Sequence, residues 1–398
     1  MRNIQDSGLP LCCKIAESNK QVDAHENEIK LQVDAWALEG MQKEAVVSTN
    51  FSHGWRMVCD EGPYLNGTDL APFPLAFFTA GTQFSFLSEV LRHANTLDVE
   101  LDNVRLKQDN YYTMEGSALR GTMIGGAKPA ELTLEISSSA DVAKVKKIVQ
   151  KAILTCPAQA LMNTKLANTF AINFNGNDIP VSKVRASDIP VGTHPKQRIN
   201  SLQPADDNTY LPEIIRKLST ANVVNGVAGG AGSSLQATQK RTLHIHGEAS
   251  VMDGTLLETT IQLLSPIGSN FYFISDCCDG DDERAPPPLA YISAGVAFCY
   301  LTQIGRYAHI TKQQLDSYAI RQANGYFVTS ESYNELSATT ALPADTQVFL
   351  AMDGSSEVAQ QIVNMGERTC FLHAAMRTYC PSVVKALING EEFDVSRQ

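Results

Sequence analysis

The sequence predicts an α+β fold laid down twice along one chain, with strands and helices grouped instead of regularly alternating. Three observations carry this. Two uncharged segments that open on proline, "PFPLAFFTAGTQFSFL" at 72–87 and "PPPLAYISAGVAFCYL" at 286–301, match at a constant spacing of 288 − 74 = 214. Each is preceded by segments of alternating polarity, the signature of half-buried strands. Each is followed by further strand-like segments and a Cys-Pro pair, Cys156-Pro157 and Cys380-Pro381, here at a spacing of 224. A fixed internal period is the mark of a duplicated unit.

In chain order, residues 1–24 form an N-terminal extension and 25–178 the first unit. Its strand "IKLQVDAW" leads to a helix opening at Pro74, and "AELTLEIS" leads to a helix near Cys156. Proline is at home as the first helical residue, and a helix without charges is buried on most sides. Residues 179–240 read as a linker with a short helix around "LPEIIRKLSTA", then a flexible run "NGVAGGAGSS". No strand precedes that run and no Lys-Ser/Thr follows it, so it is not a phosphate loop. The second unit, 241–398, repeats the order through "RTLHIHGEASV", the Pro288 helix, "TQVFLAMD" and Cys380. Arg92 falls with Arg306 at the same spacing, and Leu31 with Leu243 at 212.

The chain has 398 residues, 43% of them hydrophobic, which is enough to bury ordinary cores. With 43 acidic against 32 basic residues, a formal charge of −11 argues against nucleic acid and anionic membranes as partners. No N-terminal apolar core resembles a signal peptide, and the uncharged stretch 285–305 is broken by polar residues, so the expectation is a soluble cytoplasmic protein. Nine cysteines, an odd number, then favour reduced thiols.

Two cysteines hold the chemical interest. Cys299 lies about three turns into the Pro288 helix, too deep for the helix terminus to acidify it, so a side-chain charge would have to make it a thiolate. Cys380, before proline, reads as the N-cap of a helix beginning "PSVVKAL", where free N–H groups favour a thiolate. Spacing alone does not bring the two together, and a small buried core residue is an equally good reading of Cys299. Elsewhere "DCCDGDDE" reads as an acidic loop, His244 and His246 as strand histidines sharing a face, and Cys12, Cys13 and Cys59 as structural. No metal and no cofactor is implied.

Pro288, Ala294, Gly295, Ala297 and Cys299, with Cys380-Pro381 later, resemble the OsmC/Ohr family of osmotically inducible and organic hydroperoxide resistance proteins. The cysteine falls 299 − 288 = 11 positions after the proline, as in that family. The resemblance implies two tandem OsmC-like domains forming an intramolecular pseudo-dimer, with antiparallel sheets wrapped around central helices. It also implies thiol-dependent reduction of organic hydroperoxides, with Cys299 peroxidatic and Cys380 resolving, and an external dithiol as reductant. Ser85 and Cys156 take the matching places in the first unit, an inert pseudo-site because a serine forms no disulfide. Leu289 and Leu75 stand where the family's peroxidases carry glutamate. The candidates for activating the thiol are therefore Glu283, Arg284, His373 and Arg377, with His309 a further one. A different class remains open, a non-catalytic scaffold or binder of a small apolar ligand, as does sulfur transfer. Assembly of pseudo-dimers into a homo-oligomer also remains open.

Overall fold

The computed structural model describes residues 3–16, 22, 24–25, 27–199, 203–206, 209–221, 239–277, 282–329, 338–393 and 395. In the first half, strands β1 (Cys12–Lys14), β2 (Glu28–Ala37), β3 (Lys43–Thr49) and β4 (Trp55–Cys59) precede helix α1 (Pro74–Thr96). Then come β5 (Asn103–Gly116), β6 (Ile124–Ala127), β7 (Glu131–Ser137), α2 (Val142–Thr155), α3 (Pro157–Met162), β8 (Thr169–Phe174) and β9 (Asn177–Ile179). After α4 (Pro195–Ile199) the second half brings β10 (Ile215–Ser219), β11 (Gln239–Asp253), β12 (Leu256–Ser265), β13 (Asn270–Asp276) and helix α5 (Pro288–Ile310). It ends with β14 (Ser317–Thr329), β15 (Ala338–Ala341), β16 (Asp345–Ala351), α6 (Ser356–Thr369), α7 (Phe371–Arg377), β17 (Val383–Ile388) and β18 (Glu391–Phe393). The α+β expectation holds.

From α1 to β9 each element starts 214 residues before one of the same type: 74 and 288, 103 and 317, 131 and 345, 157 and 371, 169 and 383. The early strands keep that spacing. Leu31 opposes Asn324 while Ile245 opposes Asn110, and 324 − 110 = 245 − 31 = 214, so Leu31 matches Ile245 and not Leu243. The strands of the two halves are exchanged. One sheet runs β1-β4-β3-β2-β14-β16-β8-β9 and the other β10-β13-β12-β11-β5-β7-β17-β18, so early strands of each half pair with later strands of the other. The sheets are mainly antiparallel, but β8 with β16 and β7 with β17 run parallel, which the expectation of purely antiparallel sheets did not include.

Helices α1 and α5 cross between the sheets. A Cβ on Gly295 would stand 2.8 Å from the Phe78 nitrogen, and one on Gly81 2.7 Å from the Ile292 nitrogen, so the glycines set how closely the backbones meet. Phe77 lies edge-on to Phe298 with ring centroids 5.2 Å apart and fills the space beside the crossing.

The outer faces of the two sheets differ. On the first, Trp36, Val46, Ala319 and Phe349 form a second small core with Ile4 and Ile15, and α4 and Val191 pack over it. The positions 214 away on the other sheet are Ser250, Thr260, Arg105 and Glu135, none of them buried. Under this strap, formed by α4 and the chain at Val191, Asp34 is fully buried between Arg198 Nη1 and Arg321 Nε, each at 2.7 Å.

One expectation in the linker is corrected. Instead of a helix around residues 211–221, β10 runs along β13 with Ile215 opposite Phe273, because edge pairing buries Ile214 and Ile215. The glycine-rich run at 225–234 lies outside the described residues. Among the described residues no helix is long and apolar enough to cross a membrane.

Candidate thiol site

The site is built where α5 meets the corner between α6 and α7. Proline at the first position of α5 fixes its start, and Cys299 lies in its uncharged part, 288–305, at 2% exposure. Cys370 ends α6 and caps α7 with an extended backbone (φ −68°, ψ 122°), and its sulfur accepts the His373 N–H at 3.5 Å. Its thiol donates to Cys299 Sγ at 3.3 Å, so the two sulfurs are in contact. Burial, and then Cys299 itself, push the Cys370 thiol well up, so it keeps its proton and offers it to Cys299.

The partner of Cys299 is thus Cys370, where the sequence pointed to Cys380. Cys380 caps no helix. It lies in irregular chain before β17, with its N–H bonded to the Met162 carbonyl at 3.0 Å. The physical reason is simple. Cys156 matches Cys370 at the common spacing, 370 − 156 = 214, but Phe371 stands where Pro157 would be, so the Cys-Pro landmark led ten residues too far. Cys156 and Cys370 share the same extended backbone between two helices.

A buried polar group from the turn after β4 borders the same small cavity as Cys299. Glu61, 4% exposed, accepts from Tyr64 Oη at 2.9 Å and from Thr302 Oγ1 at 3.1 Å. Thr302 lies three residues beyond Cys299 on the same face of α5, and Arg306 four beyond that. Burial pushes the Glu61 carboxyl up, against the pull of Lys43 and Arg306. Burial pulls both arginines down, Arg241 to about 9 and Arg306 also lowered, though Glu61 and Tyr64 favour their charge and Cys299 favours that of Arg306. Glu61, Tyr64, Cys299, Thr302 and Phe371 line a cavity of about 20 Å³, close to the space one water occupies. A wider cleft of about 340 Å³ opens beyond it, lined by Met41, Arg306, His309, Ile310 and Tyr318 among others.

The first half repeats the layout with different chemistry. Ser85 Oγ lies 3.3 Å from Cys156 Sγ and accepts the Ala158 N–H, while burial pushes the Cys156 thiol up to about 12. Where Thr302 meets Glu61, Ser88 Oγ meets Cys277 Sγ at 2.8 Å. Hydroxyl replaces thiol at one position and thiol replaces carboxylate at the other.

Of the activators the sequence offered, His373 adjoins the sulfurs, through its backbone N–H on Cys370. Glu283, fully buried, accepts from Ser52 Oγ at 2.6 Å and Trp55 Nε1 at 2.9 Å, and burial pushes it up to about 7. Arg284 reaches toward Asp276, 3.7 Å away. Arg377 Nη1 meets Glu367 at 2.9 Å and its Nη2 the Gly125 carbonyl at 3.0 Å, which braces the α6–α7 corner. The His373 ring lies edge-on to Tyr300 at 4.9 Å, and burial lowers it to about 3, so it is neutral and supplies no positive charge. His309 lines the outer cleft. Glu61, Thr302 and Cys370 were missed by the sequence reading, and only strict use of the 214 spacing would have found Cys370. His244 and His246 do share a face, both within 2.9 Å of Asp109 Oδ1, but among the described residues no three side chains are arranged to hold a metal.

No family model and no curated protein matches this chain. Among solved structures, an OsmC-like hydroperoxide resistance protein from Jannaschia sp. CCS1 is 19% identical over 35% of this chain and 89% of its own, with a TM-score of 0.23.

Proposed function

We propose that the chain is two tandem OsmC-like domains folded as an intramolecular pseudo-dimer, and that its second half reduces organic hydroperoxides with Cys299 and Cys370. The observation that carries this reading is the sulfur contact of 3.3 Å beside a cavity holding Glu61, Tyr64 and Thr302. The exchanged sheets and the family spacing around Cys299 support the domain assignment.

In this reading Cys299 attacks as a thiolate the outer oxygen of a hydroperoxide whose two oxygens occupy the small cavity. The O–O bond breaks, the alcohol leaves with a proton from Glu61, and Cys299 becomes a sulfenic acid. Arg306 offsets the charge that develops on the oxygens. Cys370 then attacks the Cys299 sulfur, its thiol proton leaves with the hydroxyl as water, and a disulfide forms. An external dithiol reduces that disulfide by exchange. Cys299→Ser is expected to abolish consumption of cumene hydroperoxide in stopped flow, whereas Cys380→Ser leaves it within about twofold. Wild-type consumption no faster than that of free cysteine would remove the reading.

Deep burial of both sulfurs and the much larger outer cleft favour a second reading, a non-catalytic binder of a small apolar ligand. A ligand retained in native mass spectrometry, with both thiols reacting at ordinary rates, would select it.

A further inference from the structure

The thiol cavity and the outer cleft are neighbours along one groove. On one wall α5 gives Thr302 and Gln303 to the cavity and then Gly305 and Arg306 to the cleft. On the other, the turn after β4 gives Tyr64 to the cavity and Asn66 to the cleft. Leu65 alone borders both.

The backbone under Leu65 is fixed. It closes a short 3₁₀ turn, Pro63–Leu65, and Asn66 reverses the chain in the left-handed region at φ 61°. The Asp60 carboxylate accepts from the Thr68 and Leu70 N–H groups at 3.1 Å each, stitching the loop closed behind it. Leu65 itself is 8% exposed and borders the cleft of about 340 Å³. With the frame held by backbone and carboxylate bonds, a change of the Leu65 rotamer is the smallest movement that could join the two spaces.

We propose that Leu65 is a gate. When it turns into the cleft, the two spaces join, and the alkyl or aryl part of a hydroperoxide lies against Met41, Ile310 and Tyr318 while its oxygens reach Cys299. The cavity of about 20 Å³ admits the oxygens but not the organic part, so the gate decides how large a peroxide the site accepts. This rests on the thiol chemistry proposed above, and it adds the residue that sets the size class.

Labelling by N-ethylmaleimide, followed by peptide mass spectrometry, reads the gate without any peroxide. Leu65→Ala is expected to speed labelling of Cys299 at least tenfold and Leu65→Phe to leave it no faster than wild type, while Cys156 stays at the wild-type rate. In turnover, Leu65→Ala should raise the ratio of cumene hydroperoxide to hydrogen peroxide consumption at least threefold. Equal Cys299 labelling in all three folded proteins overturns the gate, and so does a parallel rise at Cys156, which would mean general loosening. If labelling changes as expected but no variant consumes peroxide, the gate stands and the peroxidase reading falls.

Discussion

At the scale of single residues, the proposed couple turns on one proton. Cys370 holds its hydrogen because burial and Cys299 push its ionisation up, and that hydrogen points at the Cys299 sulfur. Removing Cys370 should therefore leave the attack but not the resolution. Cys370→Ser is expected to accumulate a Cys299 sulfenic acid that dimedone traps within the first turnover, whereas wild type gives little adduct. Far from this pair, Glu283 carries the clearest pH signature. Burial raises it from 4.5 to about 7, so the folded state holds the proton more tightly than the unfolded chain. Stability from this group is complete below pH 4.5 and declines as pH rises to 7, by about 3 kcal/mol at most. In urea unfolding, the midpoint of Glu283→Gln should gain on wild type across that window and hold its lead above it. A constant difference between the two proteins would contradict the assignment.

Elements explain what could and could not be read from the chain. The two proline-led helices were legible because burial on most sides removes charges for about four turns of α1 and five of α5, leaving uncharged runs with aligned Ala-Gly pairs. Cys299 was legible for the same reason. Cys370 was not, since its helix break is made without proline, and the eye followed proline to Cys380. The strand β10 was read as a helix because "EIIRKLS" has helix-forming residues, and pairing with β13 overrode that local preference. Glu61 sits 238 residues before Cys299 (299 − 61 = 238) in a loop with no motif, so no local pattern could place it beside Thr302. The helix crossing offers a test of element packing. Gly295→Ala puts a methyl 2.8 Å from the Phe78 nitrogen, and the helices must separate. A loss of about 1–3 kcal/mol is expected in chemical unfolding, with a smaller loss for Gly325→Ala, whose nearest neighbour is the end of the Leu342 side chain at 3.0 Å.

Across the whole molecule, exchange of strands makes the halves interdependent. Each sheet takes its middle from both, so neither half closes a sheet alone. The strap over the first sheet adds an asymmetry that a pair of equal subunits would lack. Asp34 beneath it joins the strap to β14 through Arg198 and Arg321, and removing the carboxylate leaves two guanidinium groups facing each other under partial cover. Asp34→Ala should cost about 3 kcal/mol, while Glu248→Ala, the matching position on the open sheet, should change stability by less than about 0.5 kcal/mol. Thermal unfolding of the two variants would settle the contrast, and equal losses would mean that the strap is not held by that cluster.

The central claim is that Cys299 and Cys370 form one working couple. Peptide mapping without reductant, after one equivalent of cumene hydroperoxide, tests it most directly. The account predicts a Cys299–Cys370 linked peptide that appears within one turnover and disappears on adding a dithiol. A link from Cys299 to Cys380 instead, or both sulfurs still free after the peroxide, would contradict it.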